Sequence, residues 1–269
     1  MVLVLYNPVC GDGSTQSFFE TRVLPLLQNH GNIAIDNVVR TERPKHAGTV
    51  VVDFINNVQP VRAATVLTIV LGSGDGTLQE IIDAVCSLSG PQPEIRFVLV
   101  PCGTANALYV SLFPASHQDE LTDDAYKLKA LNAFITGSKT VPLYTAVVTL
   151  SPAPSSPRPP TIVFSVVVVS TSLHAAILHD SESLRTQFPG LERFKVAAQM
   201  NVSRWYNSSV KLFPAPSVGV VQVYDPRTRT FVPYDRSTKN TVIKLDGPFI
   251  YFLSTGMAPS IHLPTESQN

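Results

Sequence analysis

The sequence predicts an α/β fold in two parts. Residues 1–138 read as a three-layer domain with a parallel sheet between helices, and residues 139–269 as a β-rich domain of antiparallel strands. Three observations carry this. Through residue 138, short apolar runs alternate with stretches of helical spacing, the order that builds a parallel sheet covered on both faces. After residue 139, valine-rich strand candidates dominate. Residues 72–77 read Gly-Ser-Gly-Asp-Gly-Thr directly after an apolar run, which puts a glycine-rich turn at the carboxyl edge of the sheet, where ligands bind in such folds.

The elements follow in order. Residues 2–6 form the first strand. Residues 16–29 have helical spacing, with Phe18, Val23, Leu26 and Leu27 on one side, and Pro25 kinks or splits them. A strand over 33–39, a helix over 46–56 and a strand over 64–71 come next. Leu78, Ile81, Ile82 and Val85 set a helix over 78–88. A strand over 95–100 and a short helix over 106–112 precede a helix over 123–136, capped by Thr122. In the second half, strands are expected over 141–150, 161–170, 209–213, 218–224, 242–245 and 249–254, with one helical segment over 182–198. The Pro/Ser-rich residues 151–160 form a loop, Asp246-Gly247-Pro248 reads as a hairpin turn, and residues 259–269 add no apolar element.

Composition narrows the function classes. The chain has 269 residues, 44% hydrophobic and 15% charged, which suits a globular protein with a sizeable core. Its 20 Lys and Arg balance 20 Asp and Glu, so no global field favours nucleic acid. Cys10, Cys86 and Cys102 are odd in number and form no Cys-x-x-Cys, which argues against a disulfide framework or a zinc site and for thiols in a reducing compartment. The apolar start is too short, and lacks the basic flank, for a signal peptide. The apolar run 162–170 is far shorter than the roughly 20 residues of a spanning helix. No transmembrane segment and a cytoplasmic location are therefore expected. Sequons begin at Asn201 and Asn207, which mean little without a secretory signal.

Asn7, Thr41, Asp75 and Gly103 each fall just after a strand, so four loops would converge on one edge. The glycines around Asp75 leave the backbone bare for a bulky anion. The helix that follows would aim free N–H groups at the same spot. Phosphate cradled by backbone with one acid beside it is the layout of phosphoryl transfer. Taken alone, each piece also has an ordinary structural role. Asp75-Gly76 is a tight turn and residues 11–15 a plain glycine-rich one. Residues 41–47 are an N-cap with a solvated basic face and His46 in a structural role. Glu80 is a helix N-terminal charge, and Asn106 is a cap. Arg185 and Arg193 are surface cations beside Glu182 and Glu192.

Five segments in order resemble the diacylglycerol kinase catalytic domain family, and within it the sphingosine kinases most closely. They are NPVCGDGS (7–14), TERPKHA (41–47), GSGDGT (72–77), PCGTANAL (101–108) and SESLR…GLERF (181–194). The resemblance runs from Leu3 to about Ser254. It implies a nucleotide-binding first domain and a lipid-binding antiparallel β-sandwich second domain, incomplete here. The implied activity is phosphorylation of a sphingoid base, ceramide or diacylglycerol at a membrane surface, with ATP and Mg²⁺ as cofactors. Asp75 becomes the base that takes the hydroxyl proton. Asn7, Pro8, Val9, Gly11, Thr41, Arg43, Lys45, Ser73, Gly74, Gly76, Thr77, Glu80, Gly103, Thr104 and Ala105 become nucleotide contacts. Arg185 and Arg193 become phosphate-binding arginines, and Leu178 and Asp180 fall nearest the lipid head group.

The sequence also departs from the family. Cys10 and Asp12 stand where relatives carry glycine and lysines, and the charge of Asp12 opposes a triphosphate. Ala105 replaces a glycine. Ala176 and Leu178 align with aspartates of the sphingosine kinases, one of which holds the amino head group; Asp180 lies two residues on. Relatives continue into further strands with an Asp-Gly-Glu segment, so the chain reads as C-terminally truncated. The alternative is therefore a degenerate or truncated kinase-like protein that binds nucleotide or lipid without turnover. A soluble NAD or sugar kinase is a third class, against which the Arg185/Arg193 segment argues.

Overall fold

The computed structural model describes residues 1–30, 33–57, 66–115, 123–137, 139–151, 157–188, 190–235 and 237–254. The chain forms two compact units, one built on Met1–Val169 and one on Ser170–Leu253.

In the first unit, β1 (Val2–Tyr6), β2 (Asn37–Arg40), β3 (Val66–Ser73) and β4 (Glu94–Pro101) form one parallel sheet in the order β2-β1-β3-β4. Val4 pairs with Val38 on one side and with Val70 on the other. β1 is buried along its whole length, and the period of two sends its side chains into two cores. Leu3 and Leu5 join Leu67, Ile69 and Leu71 on one face; Val2, Val4 and Tyr6 join Val70, Val98 and Val100 on the other. The first face is covered by α3 (His46–Asn57) and α4 (Asp75–Cys86) through Ala47, Val51, Ile55, Leu78 and Ile81. The second is covered by α1 (Thr15–Phe18), a π-helical turn at Phe19–Val23, and α2 (Leu24–Asn29), with Phe19, Val23 and Leu27 fully buried. A helix on each face makes three layers.

Several elements differ in extent from the sequence expectation. The helical path over 15–29 does not simply kink at Pro25. It widens into the π turn just before it, because the proline lacks an N–H and its ring crowds the carbonyl four residues back. β3 starts at Val66, the expected residues 64 and 65 lying outside the described ones. The helix expected from 78 begins at Asp75, so the glycine-rich turn is its first turn. The helix expected over 123–136 is two, α6 (Asp124–Lys127) and α7 (Lys129–Ile135), after the short α5 (Ala107–Leu112). Its cap is Asp123, which accepts from the Ala125 amide; Thr122 lies outside the described residues.

The antiparallel pair β5 (Ala146–Leu150) and β6 (Thr161–Ser165) also belongs to the first unit. Side chains of α4 hold β6 in the manner of a ladder. Asp83 accepts from the Phe164 amide at 3.0 Å, and Gln79 donates to the Phe164 carbonyl and accepts from the Val166 amide. Val166 then adds to the first core.

The second unit holds β7 (Val169–Ser172), α8 (Leu173–Ser183), α9 (Glu192–Asn201), β8 (Ser209–Leu212), β9 (Gln222–Asp225), β10 (Thr230–Pro233), β11 (Ile243–Asp246) and β12 (Tyr251–Ser254). β8 pairs antiparallel with β11, and β9 with β10; β7 pairs with β12. The single helix expected over 182–198 is two. α8 starts at Leu173, ahead of the expected helix and past the strand expected over 161–170, and between α8 and α9 Gly190 takes φ +66. Asp246-Gly247-Pro248 is no hairpin turn, since β11 and β12 pair with different partners. Among the described residues, no helix is long and apolar enough to cross a membrane.

Candidate functional site

In the order β2-β1-β3-β4, the chain leaves β1 for β2 on one side and returns to β3 on the other. Loops after β1 and β3 therefore flank a topological switch point, the place where open α/β sheets bind ligands. Asn7 opens the first loop. Its amide donates to the Gly72 carbonyl at 2.9 Å, its Nδ2 donates to Thr77 Oγ1 at 3.3 Å, and its Oδ1 accepts from the Val9 amide at 3.1 Å. One side chain thus ties the first loop to the start of α4. Pro8 and Val9 continue this loop, Val9 with its side chain exposed. Gly11 and Gly13 take φ +58 and +82, left-handed backbone that favours glycine. Asp12 accepts from the amide and hydroxyl of Ser14 at 2.9 and 2.6 Å. The Ser14 hydroxyl, then its amide, hold the Asp12 carboxyl below the usual aspartate range. Asp12 is thereby spent on closing its own loop.

The third loop, after β4, packs against the second. The Cys102 amide donates to the Ser73 carbonyl at 3.1 Å. A Cβ on Gly103 would stand 2.4 Å from Gly74 Cα, so only glycine permits this approach. A Cβ on Gly11 would meet the Cys102 carbonyl at 2.2 Å. Thr15, with its side chain buried, holds Cys10 Sγ at 3.2 Å. Burial pushes the Cys10 thiol up, and burial, then Cys10, raises Cys102 to about 12. Both thiols stay protonated at neutral pH, and neither is an activated nucleophile.

Asp75 is the first residue of α4, and its carboxylate is committed to backbone. Oδ2 accepts from the Ala107 amide at 2.7 Å and Oδ1 from the Leu108 amide at 3.1 Å. It caps α5 from 32 residues away. Asn106 holds the N-cap position of α5, in left-handed backbone, yet its side chain turns back: Oδ1 accepts from the Gly103 amide and Nδ2 donates to the Gly103 carbonyl, each at 2.8 Å. Asn106 thereby closes the loop holding Thr104 and Ala105, while Asp75 serves the helix. Each carboxylate oxygen keeps a second acceptor direction, and Asp75 is half-buried. The recess lined by Leu71, Ser73, Gly74, Asp75, Leu78, Leu99, Asn106 and Tyr109 is about 20 Å³, room for one water. Gly76 is exposed, and a Cβ there would meet nothing within 4 Å.

The loop after β2 begins beside the first, the Thr41 amide donating to the Tyr6 carbonyl at 2.9 Å. Thr41 is buried, while Arg43 and Lys45 are exposed. His46 Nδ1 accepts from the Glu42 amide at 3.0 Å, a structural role. Ser73 is buried and donates to the Gly74 carbonyl at 2.9 Å, and Glu80 is half-buried one turn along α4. The first unit therefore gathers Asn7, Asp75, Gly74, Thr77 and Gly103. The Ala107 and Leu108 amides, which sequence reasoning passed over, hold the carboxylate; no local pattern marks such a long-range cap.

The remaining candidates lie in the second unit. Arg185 and Arg193 share Glu182: Arg185 Nη2 lies 2.8 Å from it and Arg193 Nη2 3.8 Å. Arg193 is buried and stacks on the Phe194 ring, and its Nε has no partner. Burial, then Arg185, lower its affinity for its proton, and Glu182 opposes them. Asp180 accepts from His179 at 3.0 Å and from Asn201 Nδ2 at 2.7 Å, which hold its carboxyl below the usual range. Leu178 is exposed on α8. Among the described residues, no group of three or more His, Cys, Asp or Glu side chains could hold a metal.

The family model of the diacylglycerol kinase catalytic domain matches residues 1–136. Among solved structures, the chain is similar to two of a candidate diacylglycerol kinase from Bacillus anthracis str. Sterne. Each is 14% identical with a TM-score of 0.46, and the match covers 79% of this chain and 59% of that one. The chain thus spans less than two thirds of their length. No curated protein matches it.

Proposed function

Because the chain belongs to the diacylglycerol kinase catalytic domain family, we propose that it transfers the γ-phosphoryl group of ATP to the hydroxyl of a lipid alcohol. The observation that carries this reading is the gathering of a glycine-rich loop, the start of α4 and the Asp75 carboxylate at the switch point of the parallel sheet. Gly11 and the first turn of α4 over 75–77 offer backbone donors to phosphate. Asp75 takes the acceptor proton as the new P–O bond forms and the bond to the β-phosphate oxygen breaks. On the second unit, the buried Nε of Arg193, which has no hydrogen-bond partner, suits an anionic group there, with Arg185 beside it on Glu182. Magnesium would arrive with the nucleotide and neutralise phosphate charge.

The lipid is a neutral alcohol, diacylglycerol or ceramide, rather than a sphingoid base. Leu178 cannot hold an ammonium group, and Asp180 is already engaged by Asn201 and His179. In this reading residues 1–138 hold nucleotide and residues 139–269 hold lipid, and the protein works in the cytoplasm at a membrane surface.

A second reading, binding without turnover, draws on the Asp75 carboxylate being held by two amides. Transfer from labelled ATP to diacylglycerol, ceramide and sphingosine, with calorimetry of ATP binding, tests both. We expect transfer to the neutral lipids, and in Asp75→Asn a rate lower by about 10²–10⁴ with ATP affinity kept. ATP binding without transfer in both proteins would favour the second reading.

A further inference from the structure

The second unit carries an acid-free stretch. From Arg193 to Tyr224 there is no Asp or Glu, but there are Arg193, Lys195, Arg204 and Lys211, in a chain of formal net charge +0. Arg193 is buried and Lys195 pairs with Glu192 at 3.1 Å; Arg204 and Lys211 are exposed. Within this stretch, at the end of α9, Met200, Val202 and Trp205 are 55%, 59% and 62% exposed. The exposure is not that of a loose tail. Asn201 is buried, donating to Asp180 at 2.7 Å and to the Ala197 carbonyl at 2.9 Å. The Arg204 amide closes a turn onto the Asn201 carbonyl at 3.0 Å. On the other side, Tyr206 exchanges both backbone hydrogen bonds with Phe249, each 2.9 Å. The turn is pinned at both ends and presents Val202, Arg204 and Trp205 between the pins, with Met200 just before the first.

We infer that residues 200–205 dock on an anionic lipid bilayer, with Met200, Val202 and Trp205 entering the head-group boundary and Arg204 meeting lipid phosphates. A compact apolar tip with tryptophan, on a stretch of chain that carries exposed Arg204 and Lys211 and no acid, and whose neighbour Asp180 is engaged by Asn201 and His179, matches the chemistry of that interface. A protein surface of neutral charge would not call for the acid-free flank. The inference rests on the lipid-alcohol reading for the choice of bilayer over another apolar partner.

Trp205 is the single tryptophan of the chain, so its emission reports this turn alone. The full chain is titrated with vesicles of phosphatidylcholine and phosphatidylserine, and with phosphatidylcholine alone. A blue shift with the anionic vesicles, quenching by brominated lipid, and affinity lower by about tenfold in Arg204→Glu are expected. Met200→Ser with Val202→Ser, both on exposed positions, should weaken binding likewise. Unchanged emission at saturating anionic vesicles overturns the inference. So does a blue shift that follows protein concentration without lipid, which would mean that a second copy covers the turn. Phosphorylation of a soluble short-chain diacylglycerol is measured alongside. Its absence with insertion intact removes the kinase reading alone; its presence without insertion removes this surface alone.

Discussion

Ser172, the residue before α8, has φ +63 and ψ −138, backbone that glycine populates and side chains rarely do. Its hydroxyl is buried without a partner, so the residue combines strain with an unsatisfied group. Ser172→Gly should relieve both and raise the unfolding free energy by about 1 kcal/mol, read as a higher urea midpoint at unchanged m. His174 nearby makes a 2.7 Å contact with Ser170 Oγ and an edge-on contact with Tyr251. Burial lowers its pKa from 6.5, so the folded chain prefers the neutral ring. The unfolded chain binds more protons between the folded value and 6.5. The stability from the neutral ring is therefore complete above that window and lost as pH falls through the folded value. Melting temperatures of wild type and His174→Gln should diverge on acidification below pH 6.5, with wild type falling faster. Parallel curves would show that the ring is not desolvated. Neither residue is conspicuous in the sequence, because strain and burial depend on β12 and α8 arriving at the same place.

At the scale of elements, α4 does two jobs. Its first turn carries Thr77 and Asp75 to the loops after β1 and β4, and its outward-reaching Gln79 and Asp83 hold β6. The 3.6-residue period made the apolar side of this helix legible in Leu78, Ile81, Ile82 and Val85, which are buried. It did not reveal that polar residues on another face substitute for a neighbouring strand. Asp83→Ala leaves the Phe164 amide short of an acceptor, so stability should fall by about 1–2 kcal/mol. Hydrogen exchange should quicken first in β5 and β6. Equal exchange across the whole first unit would argue that this pair is not held by α4. The glycine-rich turn was legible as a motif, but its helical conformation was not: glycine lowers helix propensity, and packing of Thr77 and Leu78 overrides it.

For the whole molecule, the two compact units set the prediction. Gly103→Ala drives a Cβ to 2.4 Å from Gly74 Cα and should destabilise by about 1–3 kcal/mol. Gly103 and Gly74 lie in Met1–Val169 and Ser172 in Ser170–Leu253. In denaturant melts Gly103→Ala should lower the midpoint and Ser172→Gly should raise it, each at unchanged m. The sequence by itself determined the alternation of strands and helices, hence the parallel sheet and the loops at its carboxyl edge, because side-chain period is a local property that hydrophobic burial reads directly. It also determined the family, through short motifs in those loops. Only the tertiary structure decided what the motif residues touch: Asp75 on the amides of α5, Asn106 on Gly103, and β11 and β12 with separate partners. Those pairings join residues far apart in the chain. Their geometry is set by close packing and by hydrogen-bond demand summed over the whole fold, which no window of sequence contains.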